Sequence, residues 1–131
     1  TYVYVWKKNP IASKSSVSLQ ELEKYPCLTF DQGKTNSFYF AEEVFSTYEY
    51  KQTIQVDDRA SMLNLMVGLN GYTLCSGIIC EELNGSDYAA VPLKETEVMT
   101  IGYVKRKSIQ LSELAQLYVN ELAKYKNLVL K

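Results

Sequence analysis

The sequence predicts an α/β sandwich with a mainly parallel sheet. Two observations carry this: short runs of β-branched and aromatic residues alternate with helical patterns along the chain, and the helical patterns are bracketed by Ser or Asp caps and by Gly or Pro stops. Parallel neighbours need crossovers, and helices between strands supply them.

Tyr2 to Trp6 is an unbroken run with no polar alternation, which suits a strand covered on both faces, and Lys7-Lys8-Asn9-Pro10 stops it. Ser18-Leu19-Gln20-Glu21 reads as a capping box opening a short helix through about Lys24, with Pro26 beyond it. Cys27 to Phe30 is the next strand, and Asp31 to Asn36 a loop into an amphipathic helix carrying Phe38, Ala41, Phe45 and Tyr48 on one stripe. Thr53 to Val56 alternates as a strand. Asp57-Asp58 then offers a capping carboxylate to a helix with Met62, Leu65, Met66 and Leu69 at core spacing, ended by Gly68 and Gly71. Tyr72 to Cys75 is a strand, Ser76-Gly77 a turn, and Ile78 to Leu83 a short helix closed by Asn84-Gly85. Tyr88 to Leu93 and Val98 to Lys105 complete the strands. The last helix places Leu111, Leu114, Ala115, Tyr118, Leu122 and Tyr125 on one stripe, with Ser112 at its start. Met62, Leu65, Met66, Leu114, Tyr118 and Leu122 are therefore expected to be buried.

Composition narrows the function classes. At 131 residues, 47% hydrophobic and 22% charged, the chain is a folded domain able to bury its own core. Fourteen Lys and Arg against fifteen Asp and Glu leave no positive field to hold a phosphate backbone, so these residues alone should not bind nucleic acid well. The sequence has no histidine, which removes the commonest general base and the commonest metal ligand; no catalytic residue and no metal site is assigned. Cys27, Cys75 and Cys80 are odd in number and lie in apolar runs, as reduced thiols of a cytoplasmic protein would. No run approaches the roughly 18 apolar residues of a membrane span. The start inside a strand-like run, without Met, suggests a piece of a longer chain.

The order of these segments resembles the effector-binding domain of LysR-type transcriptional regulators. The resemblance rests on the strand ending in Asn9-Pro10-Ile11-Ala12, the Val17 to Leu22 helix start, Tyr25-Pro26-Cys27-Leu28-Thr29-Phe30, and Ile54-Gln55-Val56-Asp57-Asp58. It continues through Met62 to Tyr72, Val91-Pro92-Leu93, and Tyr103-Val104-Lys105-Arg106-Lys107 leading into the final helix. The resemblance implies a periplasmic-binding-protein-like (type 2) fold of two lobes with a small-molecule effector between them and no cofactor. It implies a division into a first crossing segment and connection over 1–26, the second lobe over 27–93, and a return strand and C-terminal helix of the first lobe over 94–131. The winged helix-turn-helix that would bind DNA would lie in a separate N-terminal domain. Family members dimerise through the effector domain, so a homodimer or higher oligomer is expected.

Two loops follow strands where such folds take ligands, at the carboxyl ends. Asp31 to Asn36 and Thr73 to Gly77 each offer amides and short polar side chains, which makes Thr35, Asn36, Thr73, Ser76 and Gly77 the candidate ligand-binding residues for a small polar or anionic metabolite. Thr35, Asn36 and Ser76 could equally be ordinary helix caps. Asp31 opposes a strongly anionic effector there unless Lys34 offsets it. Cys75 and Cys80 read as buried inert thiols, because Glu81 and Glu82 would raise rather than lower a neighbouring thiol pKa. The chain is thus read as a non-enzymatic sensor of a DNA-binding regulator. A periplasmic-type solute-binding protein for a small polar ligand is the alternative, and an α/β enzyme with a related fold a third, opposed by the lack of His and of a Gly-rich phosphate loop.

Overall fold

The computed structural model describes residues 1–31, 49–77, 79, 81–95 and 102–124. They fall into two units, Thr1–Met99 and Thr100–Lys131.

The first unit is one five-stranded sheet with helices on both faces. Its strands are β1 (Tyr2–Trp6), β2 (Cys27–Phe30), β3 (Thr53–Val56), β4 (Tyr72–Cys75) and β5 (Tyr88–Pro92), in the order β3-β2-β4-β1-β5. The α/β character expected from the sequence holds. The sheet is mainly parallel, as expected, with one reversed strand: β2 runs parallel to β3 and β4, β5 shares their direction, and β1 runs antiparallel to its neighbours β4 and β5. Alternating helices and strands suggest crossovers but do not fix the direction of a strand that enters the sheet first, and β1 is that strand.

Pleating gives the sheet two apolar faces. Val3, Val5, Cys27, Tyr72 and Val91 point to one, where Ile11, Val17, Leu22 and Leu93 close over them. Tyr4, Leu28 and Val56 point to the other, under Met62 and Met66 of α2 (Arg59–Leu69). The double covering expected of Tyr2 to Trp6 is seen at its centre, where Val3, Tyr4 and Val5 are all buried.

Local chemistry sets the helix ends. The helix α1 (Leu19–Leu22) opens on the expected capping box: the Ser18 amide donates to Glu21 Oε2 at 2.9 Å, and the Glu21 amide donates to Ser18 Oγ at 3.3 Å. Lys14 Nζ at 2.5 Å and Lys94 Nζ at 3.2 Å flank the Glu21 carboxylate, and the Leu19 amide donates to Glu95. Asp58 caps α2 by accepting from the Ser61 amide at 2.8 Å. Gly68 does not end α2; the helix runs through Leu69 and ends at Asn70, which takes the left-handed φ of 52°. The short α3 (Glu81–Asn84) is closed by Gly85 at φ 77°, whose amide donates to the Glu81 carbonyl at 2.8 Å.

A feature the sequence reading missed is the 3-10 turn Pro10–Ser13. The buried Asn9 caps it, accepting from the Ile11 amide at 2.9 Å, and donates through Nδ2 to the Asn70 carbonyl at 2.9 Å.

In the second unit, α4 (Glu113–Lys124) forms as expected, with the Ala115 amide donating to Ser112 Oγ at 3.2 Å. The burial expected for its stripe does not follow: Leu114 is 76% exposed, Tyr118 65% and Leu122 52%. Helical spacing of apolar residues shows that a face suits a partner; it does not say that these residues supply one. The strand expected over 98–105 is also absent from its described part, since 102–106 carry no regular structure and are exposed. Three successive cationic side chains, Lys105 to Lys107, favour water there. The helix expected over 38–48 lies outside the described residues. Among the described residues no helix is long and apolar enough to cross a membrane.

Candidate functional site

Strand direction assembles one edge of the sheet. Cys27 of β2 lies beside Tyr72 of β4 in parallel register, so Asp31 and Ser76, each four residues further on, leave the sheet together. Phe30 pairs with Val56, and the Asp31 amide donates to the Val56 carbonyl at 2.8 Å, which brings the end of β3 to the same edge. Antiparallel pairing sets Tyr2 opposite Cys75, so the start of β1 arrives there as well. This edge holds the carboxyl ends of three parallel strands, the place where open α/β sheets bind ligands.

Of the five candidate residues, Thr73, Ser76 and Gly77 fall within one stretch at this edge. Thr73 is half-buried inside β4, opposite Tyr4. Ser76 is the exposed residue that follows the strand. Thr35 and Asn36 lie outside the described residues.

Gly77 departs from the expectation. Its amide does not sit at a helix start, because α3 begins only at Glu81; the amide donates instead to Cys75 Sγ at 3.4 Å. Its φ of 84° and its neighbour explain why glycine stands there. A Cβ built on Gly77 would lie 2.6 Å from Cε2 and 2.8 Å from Cγ of Tyr2, closer than real side chains pack. The Tyr2 ring therefore rests on bare backbone. Sequence reasoning missed Tyr2, since its antiparallel partner Cys75 lies 73 residues along and leaves no local trace in the chain.

Behind the edge, beneath α2, lies a tyrosine pair. Tyr4 and Tyr88 stack with ring centroids 5.4 Å apart. Tyr88 donates its hydroxyl to the Leu63 carbonyl at 3.2 Å, whereas Tyr4 Oη is buried without a hydrogen-bond partner among the described residues. Burial first, then the neighbouring Tyr88 and Cys75, push the Tyr4 phenol up to about 12, against a smaller pull from Arg59. Burial also pushes the Cys75 thiol up, with the Gly77 amide acting the other way. A thiol held protonated in this manner is a poor nucleophile, in keeping with the inert reading of Cys75. Cys80 lies outside the described residues. Among the described residues no three Cys, Asp or Glu side chains gather into a metal site.

The edge can offer a hydroxyl at Ser76, an aromatic ring at Tyr2 and the acidic strand end at Asp31. Groups of this kind suit holding and orienting a small molecule, and they lack the nucleophile and base pair of covalent catalysis.

Comparison with known proteins agrees with this architecture. The crystal structure of HinK, a LysR family transcriptional regulator from Pseudomonas aeruginosa, superposes with a TM-score of 0.63 at 20% identity, over 94% of this chain and 43% of that one. The effector binding domain of QuiR in complex with shikimate gives 0.55 at 17% identity, over 95% of this chain and 59% of that one. The chain thus spans well under two thirds of either structure. No curated protein sequence matches it. The mixed sheet covered by helices on both faces is a lobe of the type 2 periplasmic-binding-protein-like fold. The LysR substrate binding domain profile matches residues 2–126, nearly the whole sequence, and the chain belongs to that family.

Proposed function

We propose that this chain is the effector-sensing part of a LysR-type transcriptional regulator, taking a small polar or anionic metabolite between two lobes. Residues 27–93 form the second lobe in this reading, 1–26 the crossing segment that enters it, and 94–131 the return into the first. Thr73, Ser76 and Gly77, together with Thr35 and Asn36, supply this lobe's half of the site. Closure of the lobes on the metabolite changes their relative position, which biases the arrangement of helix-turn-helix domains elsewhere in the regulator. The module performs no catalysis, works in the cytoplasm, self-associates, and meets DNA only through the helix-turn-helix.

The observation that carries this reading is the exposed Ser76, which follows β4 at the carboxyl edge that β4 shares with its parallel neighbour β2, in a chain of this family. Gly77 contributes as the residue that lets Tyr2 approach, because its amide is already engaged.

The test is a thermal-shift screen of metabolites on the intact regulator, with shikimate in the panel because the QuiR effector domain holds it. Any hit is then measured on Ser76→Ala. Losing a hydrogen bond to a charged ligand group costs about 1.5–3 kcal/mol, a roughly ten- to hundredfold loss of affinity. Unchanged affinity in Ser76→Ala and Thr35→Ala places the site elsewhere.

A further inference from the structure

We propose that Tyr2 forms a wall of the effector site and that the effector carries a ring, aromatic or saturated, which lies against the Tyr2 phenol. This rests on the effector reading above and adds to it a residue and a chemical class.

Three observations converge on Tyr2. It sits at the carboxyl edge, paired with Cys75 on one side and Pro92 on the other, so its backbone is fixed by strands on both flanks. Its ring rests on Gly77, whose left-handed backbone and missing Cβ allow so close an approach. Yet the side chain is not sealed in, since Tyr2 remains 36% exposed beside the exposed Ser76. A tyrosine held in place by the ladder and by a glycine, with ring surface still open at a ligand edge, is a preformed platform. Ring faces favour flat aromatic partners and C–H rich saturated rings, while the phenol hydroxyl and the neighbouring serine provide for polar substituents. An open-chain metabolite of equal polarity meets the platform with fewer simultaneous contacts and loses more rotational freedom on binding.

The experiment uses the intact regulator and two matched pairs of probes: cyclohexanecarboxylate against heptanoate, and myo-inositol against sorbitol. Saturation-transfer NMR and a competition titration read binding of each. At least one ring member should bind more tightly than its open-chain partner. Tyr2→Leu should weaken that ring probe by roughly two- to tenfold, the range of an aromatic contact, and leave the open-chain partner unchanged. Tyr2→Phe should retain the ring probe within about twofold, which separates loss of the platform from loss of folding, and the melting curve of each variant checks the fold. Absence of binding by both ring probes, equal binding within both pairs, or a Tyr2→Leu variant with full ring-probe affinity each overturns the proposal. A metabolite that depends on Ser76 but not on Tyr2 removes this inference and leaves the effector reading standing. If affinity for every metabolite is unchanged in both Ser76→Ala and Thr35→Ala, the site lies elsewhere and this inference falls with its placement.

Discussion

Asn9→Ala tests how the two ends of the first unit are joined. The Asn9 side chain is buried and carries two bonds at once, accepting from the Ile11 amide and donating to the Asn70 carbonyl, each at 2.9 Å. The first caps the 3-10 turn that follows β1; the second holds the left-handed residue that ends α2 and leads into β4. Truncation leaves the buried Ile11 amide without an acceptor, a penalty of about 1–3 kcal/mol, whereas water can reach the exposed Asn70 and limits that loss to about 0.5–1.5 kcal/mol. Together these give an expected loss of about 1.5–4.5 kcal/mol. Asn9→Asp should be at least as damaging, because it keeps the acceptor for Ile11 but sets a carboxylate oxygen against the Asn70 carbonyl. Urea unfolding followed by Trp6 fluorescence reads the loss close to its source, since Trp6 is the sole tryptophan of this sequence and its carbonyl accepts from the Asn9 amide at 2.9 Å. A loss below about 0.5 kcal/mol in Asn9→Ala, the lower edge of one hydrogen bond, or wild-type stability in Asn9→Asp, refutes the reasoning.

The same residue shows which parts of the fold were legible in the sequence. Features set by neighbours within a turn or two were readable: the capping box at Ser18 and Glu21, the β1 run, the Met62 and Met66 stripe, and the Asn84-Gly85 stop all rest on chemistry between residues a few positions apart. Asn9 read only as the end of a strand, because its second partner is 61 residues away. The reversal of β1 was hidden for the same reason, since its antiparallel course depends on which neighbours accept it. At the candidate site the segment Thr73 to Gly77 was locatable from its place after a strand. The use of its groups was not, because the Gly77 amide turns back onto Cys75 and the ring that needs Gly77 comes from the other end of the chain. The α4 stripe shows a separate limit: periodicity fixes which face is apolar, and the exposure of Leu114 and Tyr118 depends on what stands opposite.

Three further predictions concern the cap at Ser18 and two groups with shifted titration, Glu21 and Tyr4. Ser18→Ala should cost about 0.5–2 kcal/mol in the melt of the first unit, as loss of an N-cap does. Acid should weaken the same corner: Lys14 first, then the Ser18 amide and Lys94, hold the Glu21 carboxyl well below the usual carboxylate range. A depressed folded pKa stabilises above the unfolded value and is lost as pH falls, so Glu21→Gln should flatten the acid limb of the stability curve below about pH 4; an unchanged limb contradicts the assignment. Tyr4 runs the other way. Its hydroxyl is buried without a partner among the described residues, so Tyr4→Phe removes an uncompensated polar atom while keeping the stack on Tyr88, and should leave stability equal or higher. Because the folded pKa lies at about 12 against 10.0 for the free side chain, the folded state retains a proton that the unfolded state releases between those values. Stability is then fully present below pH 10 and falls as pH rises toward 12, and Tyr4→Phe should remove that part of the fall. Melting curves of both proteins across pH 9 to 12 measure it; a Tyr4→Phe protein that is less stable at neutral pH shows that the hydroxyl has a partner and that its burial is compensated, and one that keeps the full alkaline decline shows that Tyr4 is not its source.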